Sequence, residues 1–349
     1  MAFEMDSGNE SVVNIKVIGV GGGGNNVVNR MSEDGVKSAE LVAVNTDRQA
    51  LKKALATHKI QIGEKLTGGK GAGSDPEVGR KSMEESRPVV AKLLEGTDMV
   101  FISAGMGGGT GTGAAPIIAD LAREAGVLTV GIVTKPFLFE GPRRMKHAEA
   151  GIEELRSRVD SLIIIPNERL KYVTAEKISF TTGFKIADEV LKQAVQSISD
   201  LINTAQLINL DFADISAVMR DAGYAHIGVG RAAGKNKAEE AAKMAIQSPL
   251  LETTINGAKG VIINITGDHD MAMEDVEIAA NMIKTAVHHD CNIIFGATID
   301  DSLSDEMRVI VIATGFDENK QIEDSYFPKT QAAPASATKP ASIPPTPPP

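Results

Sequence analysis

A chain of 349 residues with 42% hydrophobic content is long enough for two domains and apolar enough to bury a core in each. Its formal charge of -10 argues against a broad nucleic-acid face, which needs clustered Lys and Arg, and zero Trp with three Tyr leaves few platforms for stacking bases. Cys291 is the only cysteine, so no intrachain disulfide forms, and no apolar run approaches the ~20 residues that span a bilayer.

Residues 1–11 carry Glu4, Asp6 and Glu10 and lack the apolar stretch of a secretory signal. They predict a flexible start to a cytoplasmic protein with no direct membrane insertion. From residue 12 onward, β-branched runs at 12–20, 41–44, 99–103, 127–134 and 161–166 read as strands, and helical patterns at 26–34, 76–95, 112–125 and 144–159 lie between them. Such alternation builds a parallel sheet covered on both faces, and the near-continuous apolar runs suit strands buried on both sides.

The first strand leads into GVGGGGNN at residues 19–26. Glycines let a backbone approach a phosphate closely, and the following helix offers free N–H groups at the positive end of its dipole. Four consecutive glycines also cost chain entropy that a bare turn does not require. Gly19, Gly21 and Gly24 satisfy G-x-G-x-x-G, and Asp47 follows 23 residues after Gly24, where a dinucleotide site places an acid for the ribose. This loop alone suits a dinucleotide or a mononucleotide. Residues 65–74 (KLTGGKGAGS) lack a strand-to-helix setting and read as a mobile surface loop near the site.

A second loop, GMGGGTGTG at 105–113, again follows a strand and precedes a helix. Its six glycines and two threonines present N–H and hydroxyl donors suited to a di- or triphosphate. Two loops at the carboxyl ends of parallel strands converge on one crevice from opposite sides of a polyphosphate. The sequence holds no G-x-x-x-x-G-K-[ST], so this is a phosphate site without a Walker lysine.

Residues 183–204 form one long helical pattern in which Ile186, Val190, Val195, Ile198 and Ile202 recur at helix spacing. A helix apolar over so much of its circumference lies between layers, here as the seam between two domains. Strands near 260–265, 292–299 and 309–314 form the second domain. Between them and the long helix stands NLDFADI at 209–215, where Asp211 and Asp214 share one face of a starting helix. Read locally, Asp211 is an N-cap and Asp214 a first-turn acid. His288, His289 and Asp290 are adjacent and expected to point apart, so no metal site is assigned, and Cys291 reads as a buried small hydrophobe. Eight of the fifteen prolines fall in residues 328–349, which predicts a disordered tail over 317–349.

The GGGTGTG at 107–113 is the phosphate-loop signature of the tubulin/FtsZ superfamily, and the chain resembles that family from about residue 12 to 316. IKVIGVGGGGNN, VNTD ending at Asp47, FEGPRR at 139–144, ADEVLKQAV at 187–195, NLDFADI and NIIFGATID at 292–300 carry the resemblance. It implies an α/β fold with a Rossmann-like parallel-sheet GTPase domain (12–182), a long central helix (183–205), a smaller C-terminal α/β domain carrying the catalytic loop (206–316) and the tail. It also implies a GTP/GDP pocket with Mg²⁺ on the phosphates. Gly22, Gly23, Gly24, Gly109, Thr110 and Gly111 would hold the phosphates, Glu140 and Arg144 the ribose, and Asn26, Asn167 and Asp188 the base. Gly21, Asn25, Asn45, Gly105, Gly107, Gly108, Thr134 and Phe184 complete the implied pocket.

By the same resemblance, Asp211 and Asp214 activate water on a neighbouring subunit's nucleotide, with Asn209 in support. A helix of ~22 residues is roughly 33 Å long, so base pocket and acids belong at opposite ends, and only head-to-tail stacking joins them. The implied partners are a second copy of the chain and division-ring regulatory and membrane-tethering proteins, at the mid-cell ring. The short peptide with which relatives engage such tethers has no counterpart in 317–349. Two other classes compete. A nicotinamide- or flavin-dependent dehydrogenase would use residues 19–24 and Asp47 but leave the second glycine loop idle. A non-hydrolysing scaffold would leave both acids idle.

Overall fold

The structure is a computed structural model that describes residues 13–172, 179–203, 208, 210–251, 255–300 and 303–316. The expected flexible start and proline-rich tail lie outside the described residues, as does Asn209. In chain order the elements are β1 Ile15–Val20, α1 Gly21–Glu33, β2 Glu40–Asn45, α2 Arg48–Lys53, β3 His58–Gln61, α3 Glu64–Thr67, α4 Pro76–Glu85 and α5 Arg87–Leu94. There follow β4 Met99–Gly105, α6 Thr110–Glu124, β5 Leu128–Lys135, α7 Pro142–Arg156, β6 Ser161–Pro166 and the long α8 Phe180–Asn203. The last third holds α9 Phe212–Met219, β7 Gly223–Ala233, α10 Lys237–Ile246, β8 Gly260–Gly267, α11 Met273–Ala286, β9 Asn292–Ile299 and β10 Glu306–Thr314.

Among the described residues, ten strands join one sheet in the order β3-β2-β1-β4-β5-β6-β7-β10-β8-β9. The β3-to-β7 pairings are parallel; β10 runs antiparallel to both β7 and β8, and β8–β9 is parallel. The two halves meet at a narrow join, Ser161↔Gly223, Leu162↔Tyr224 and Ile163↔Ala225.

Strand periodicity sorts the core. In β1, Ile15 and Val17 face one layer while Ile18 and Val20 face the other, and β4 divides Met99 and Phe101 from Val100, Ile102 and Ala104 in the same way. The second layer is closed by α4–α7. The first is closed by α1 and α8, and its cluster runs on through Ile215, Ile262, Ile310 and Ile312 of the C-terminal half. A third cluster lies under α10 and α11. The expected seam is therefore a shared core: Val190, Ala194, Val195 and Ile198 of α8 belong to the same cluster as β10 residues.

Several expectations change. The helix expected over 76–95 is two helices broken at Ser86, because Pro88 has no N–H for the Glu84 carbonyl and its ring crowds it, whereas near the start of a new helix it is tolerated. Strand β3 (HKIQ) escaped notice as a short polar edge strand. Strand β7 did so because it is rich in small residues, and α10 requires them. A Cβ on Gly228 would lie 2.1 Å from the carbonyl oxygen of Ala245, and one on Gly230 1.9 Å from that of Ala241.

Candidate functional site

Both glycine segments sit at carboxyl ends of parallel strands, β1 and β4, and they touch. A Cβ on Gly21 would approach the Gly111 nitrogen at 2.9 Å, and one on Gly23 the Gly105 nitrogen at 3.1 Å. The glycines expected to form a loop before a helix at residue 26 are instead the first turn of α1, which starts directly from β1. Likewise α6 starts at Thr110, two residues earlier than expected. Neither helix has a side-chain cap, with Val20 and Gly109 in the cap positions, so their first N–H groups are left for a ligand.

The cavity between these helix ends holds about 300 Å³. Gly22, Gly23, Gly105, Gly108, Gly109, Thr110 and Gly111 line one end, and Asn26, Thr134, Glu140, Arg144, Asn167, Phe184 and Asp188 line the rest. A Cβ at Gly22 would meet nothing within 4 Å, so this glycine borders open cleft space. A larger cavity of about 600 Å³ lies between α8 and β8–β10. Its lining has no glycine, and its Lys192 and Arg308 are already paired, with Asp34, Glu189 and Asp300.

Five residues expected in the pocket stand one layer back. Gly24 and Gly19 make room for backbone: a Cβ on Gly24 would lie 2.1 Å from the Ser103 carbonyl oxygen. Asn25 is buried, and with its amide turned to satisfy both ends it donates to the Gly19, Gly21 and Val44 carbonyls and accepts from Asn45 Nδ2 at 3.1 Å. Gly21, Asn25 and Asn45 thus brace the first turn of α1 against β2. Gly107, at φ +95°, donates its N–H to Thr112 Oγ1 at 2.8 Å. The hydroxyls of Thr46 and Thr110 lie 2.7 Å apart and tie β2 to the second glycine loop.

At the middle of the cleft Glu140 is used twice. It accepts from the Phe137 N–H at 2.8 Å and pairs with Arg144 Nε at 3.0 Å. Phe184 meets Phe137 edge to face at 5.2 Å, closing one wall with an aromatic surface. At the far end Asn167 is 4% exposed and its Oδ1 has no partner among the described residues. Such an orphaned acceptor costs free energy until a donor arrives. Beside it, burial pushes the Asp188 carboxyl up to about 6, opposed by the Arg30 guanidinium, whose Nε lies 3.6 Å away. The sequence reading missed Met106, Pro136, Ala187 and Leu191 in the lining. Ala187 and Leu191 share a helix face with Phe184 and Asp188, and that periodicity could have found them.

The acids lie at the other pole. Asp211 occupies the N-cap position of α9 without making a side-chain cap bond, and Asp211 and Asp214 are both exposed. The carboxyl end of α9 is pinned where strands begin: Met219 O accepts from Ser161 Oγ at 2.6 Å, at the first residue of β6. Helix α8 connects the poles, lining the cleft with Asp188 and ending where Asn203 Nδ2 donates to Val13 O and Ser38 O just before β1 and β2.

Three other expectations are revised. His288 and His289 were expected to diverge from Asp290, yet the exposed turn before β9 brings a ligand atom of each within 4.8 Å of the others. Cys291 is half-buried rather than buried. The 65–74 loop packs onto the cleft wall, where a Cβ on Gly109 would lie 2.8 Å from Ala72 Cβ.

Residues 14–175 match the family model of the tubulin/FtsZ family GTPase domain, and residues 223–317 match that of the FtsZ family C-terminal domain. An empty FtsZ dimer from M. jannaschii superposes with a TM-score of 0.84 at 42% identity, covering 87% of this chain and 88% of that one. A point mutant of the M. jannaschii protein gives the same score and identity over 87% and 91%. CetZ2 from Haloferax volcanii shares the fold, with a TM-score of 0.72 at 21% identity over 90% and 97%. Two family models in register with the two halves of the sheet, and a relative of similar length at 42% identity, place this chain in the tubulin/FtsZ family of GTPases, on its FtsZ side.

Proposed function

We propose that this chain hydrolyses GTP in a site shared between two copies stacked head to tail, and that the resulting filaments form the cytokinetic ring of bacterial cell division. The carrying observation is the separation of parts: a donor-lined cleft at the carboxyl ends of the strands, and two exposed acids, without a side-chain bond among the described residues, on a helix whose far end is pinned at the amino end of β6.

The cleft divides by chemistry. The uncapped starts of α1 and α6 offer N–H groups and positive dipole ends to the phosphates through Gly22, Gly23, Gly108, Gly109, Thr110 and Gly111. The Glu140–Arg144 pair would meet the ribose, as the family resemblance implies. Asp188 can accept from N1–H and the 2-amino group of guanine, and Asn167 brings an unpaired acceptor. Adenine lacks that donor pair, and a site built around it rejects the analogue strongly. No carboxylate lines the glycine end, so Mg²⁺ there would be held by the phosphates, supplying charge neutralisation.

Hydrolysis then needs a positioned water, and the cleft supplies no base at its glycine end. In a stacked pair, Asp211 and Asp214 of the second copy would orient and polarise that water, with Asn209 in support. The rate gain comes from positioning and charge stabilisation. The 42%-identical FtsZ from M. jannaschii forms a dimer, which agrees with self-association in kind. Division-ring regulators and membrane tethers in the cytoplasm at mid-cell complete the reading.

The test is phosphate release with simultaneous light scattering across protein concentrations. The rate per subunit should rise as scattering appears; a rate per subunit independent of concentration sinks the shared site. Mixing D211A/D214A protein with a variant whose cleft is blocked, Gly22→Trp, should restore turnover that neither shows alone.

A further inference from the structure

Arg30 does not line the cleft, yet among the described residues it is the charged side chain that acts on Asp188. It reaches from α1 to within 3.6 Å of Oδ2, and the Asp188 side chain is only 14% exposed. The other charges nearby are engaged elsewhere. On α8, Glu189 and Lys192 pair with each other, and Lys192 also pairs with Asp34 at the end of α1. Lys185 is exposed to solvent. Across the cleft, Arg144 is held by Glu140.

We propose that Arg30 is the positioning residue of the base pocket: from behind the cleft wall it keeps Asp188 ionised and turned toward the ligand, and so sets how acidic the surroundings become before nucleotide is released. This rests on the reading of Asp188 as the guanine contact. The chemistry is direct. Guanine presents two N–H donors, so it needs a carboxylate, and a protonated Asp188 would set an O–H against an N–H. Burial alone favours the protonated form, and the guanidinium opposes it. The sign follows: affinity is flat above the pH at which Asp188 loses its proton, about 6 in the free protein, and weakens below it. Without Arg30 the same burial acts unopposed, and the weakening begins at higher pH.

The experiment is a titration of GDP into the full-length chain from pH 5.5 to 8, for the parent, Arg30→Gln and Arg30→Lys. GDP avoids turnover. The R30Q protein should bind within about threefold of the parent at pH 8 but roughly tenfold more weakly at pH 6.5, each pH unit being tenfold in the protonation ratio. R30K should keep the parent profile. A merely structural role would lower affinity by one factor at every pH, so an R30Q profile parallel to the parent's overturns the proposal. If R30Q does not fold, Arg30→Met, which keeps the aliphatic stem, is read in its place.

A separate arm tests the underlying reading. Asp188→Asn should lose GDP and gain xanthosine diphosphate, whose 2-oxo group accepts from an amide. If D188N does not switch, the guanine contact is wrong. If it switches and R30Q stays parallel, only the role of Arg30 is wrong.

Discussion

At the cleft end several side chains that shape or back the wall are bonded within the chain. Asn25 braces α1 against β2, Thr46 meets Thr110, and Glu140 serves both Phe137 and Arg144. At the opposite end the carboxylates of Asp211 and Asp214 make no side-chain bond among the described residues, although the helix that bears them is anchored through Ile215, Val218 and Met219 in the core. The fold thus fixes a place for a ligand at one pole and holds out two charges at the other without a partner for them among the described residues. Rigidity in the first region and exposure in the second are what a composite site would need from a single chain.

That contrast can be broken at either pole. Asp214→Ala should lower GTP turnover by about 100- to 10,000-fold, the range for removing a group that takes up or polarises the proton of the attacking water, while GDP affinity stays unchanged by fluorescence titration. An equal loss of affinity would move Asp214 into the binding machinery. Next in size, Gly24→Ala should destabilise the protein by about 3 kcal/mol in denaturant unfolding, because the added Cβ lands on the Ser103 carbonyl and forces backbone to move.

Asp188→Asn should raise the stability of the nucleotide-free protein. A carboxyl held near 6 instead of its ordinary 3.8 carries a burial cost on the order of 3 kcal/mol when ionised. The protonated form binds its proton more tightly folded than unfolded, so the parent is relatively stabilised below pH 4 and loses that advantage as pH rises to 6. The gain of D188N over the parent should therefore appear above pH 6 and vanish near pH 4. The smallest effect belongs to Gly22→Ala. Its methyl meets nothing and adds helix propensity, so stability should hold or rise by about 0.5–1 kcal/mol. Nucleotide affinity should fall, separating a glycine kept for a ligand from one kept for packing.

Much of this was legible because it rests on local chemistry. Glycines at strand ends, continuous apolar strands and a long helix with one broad apolar face each carry their reason in a short window. What escaped depends on distant partners. The glycines of β7 make sense only once Ala241 and Ala245 of α10 are seen against them. Asn25 and Asn26 are neighbours in sequence, but a helical step turns one into the braced wall and leaves the other facing the cleft. The role inferred for Arg30 could not be read at all, since α1 and α8 are far apart in the chain and only packing sets the guanidinium beside a buried carboxyl. The continuity between the halves was hidden for a related reason: nothing in the sequence signals that the first core cluster continues beneath α8 into β10.

The placement of cleft and carboxylates at opposite poles has a consequence for any stack of these subunits. Its two tips would be chemically unlike, one displaying an empty or spent nucleotide seat open to water, the other the carboxylates of Asp211 and Asp214. Replacement of spent nucleotide would be confined to the first tip and to breaks along the stack, so the age of the bound nucleotide would record a subunit's distance from that tip.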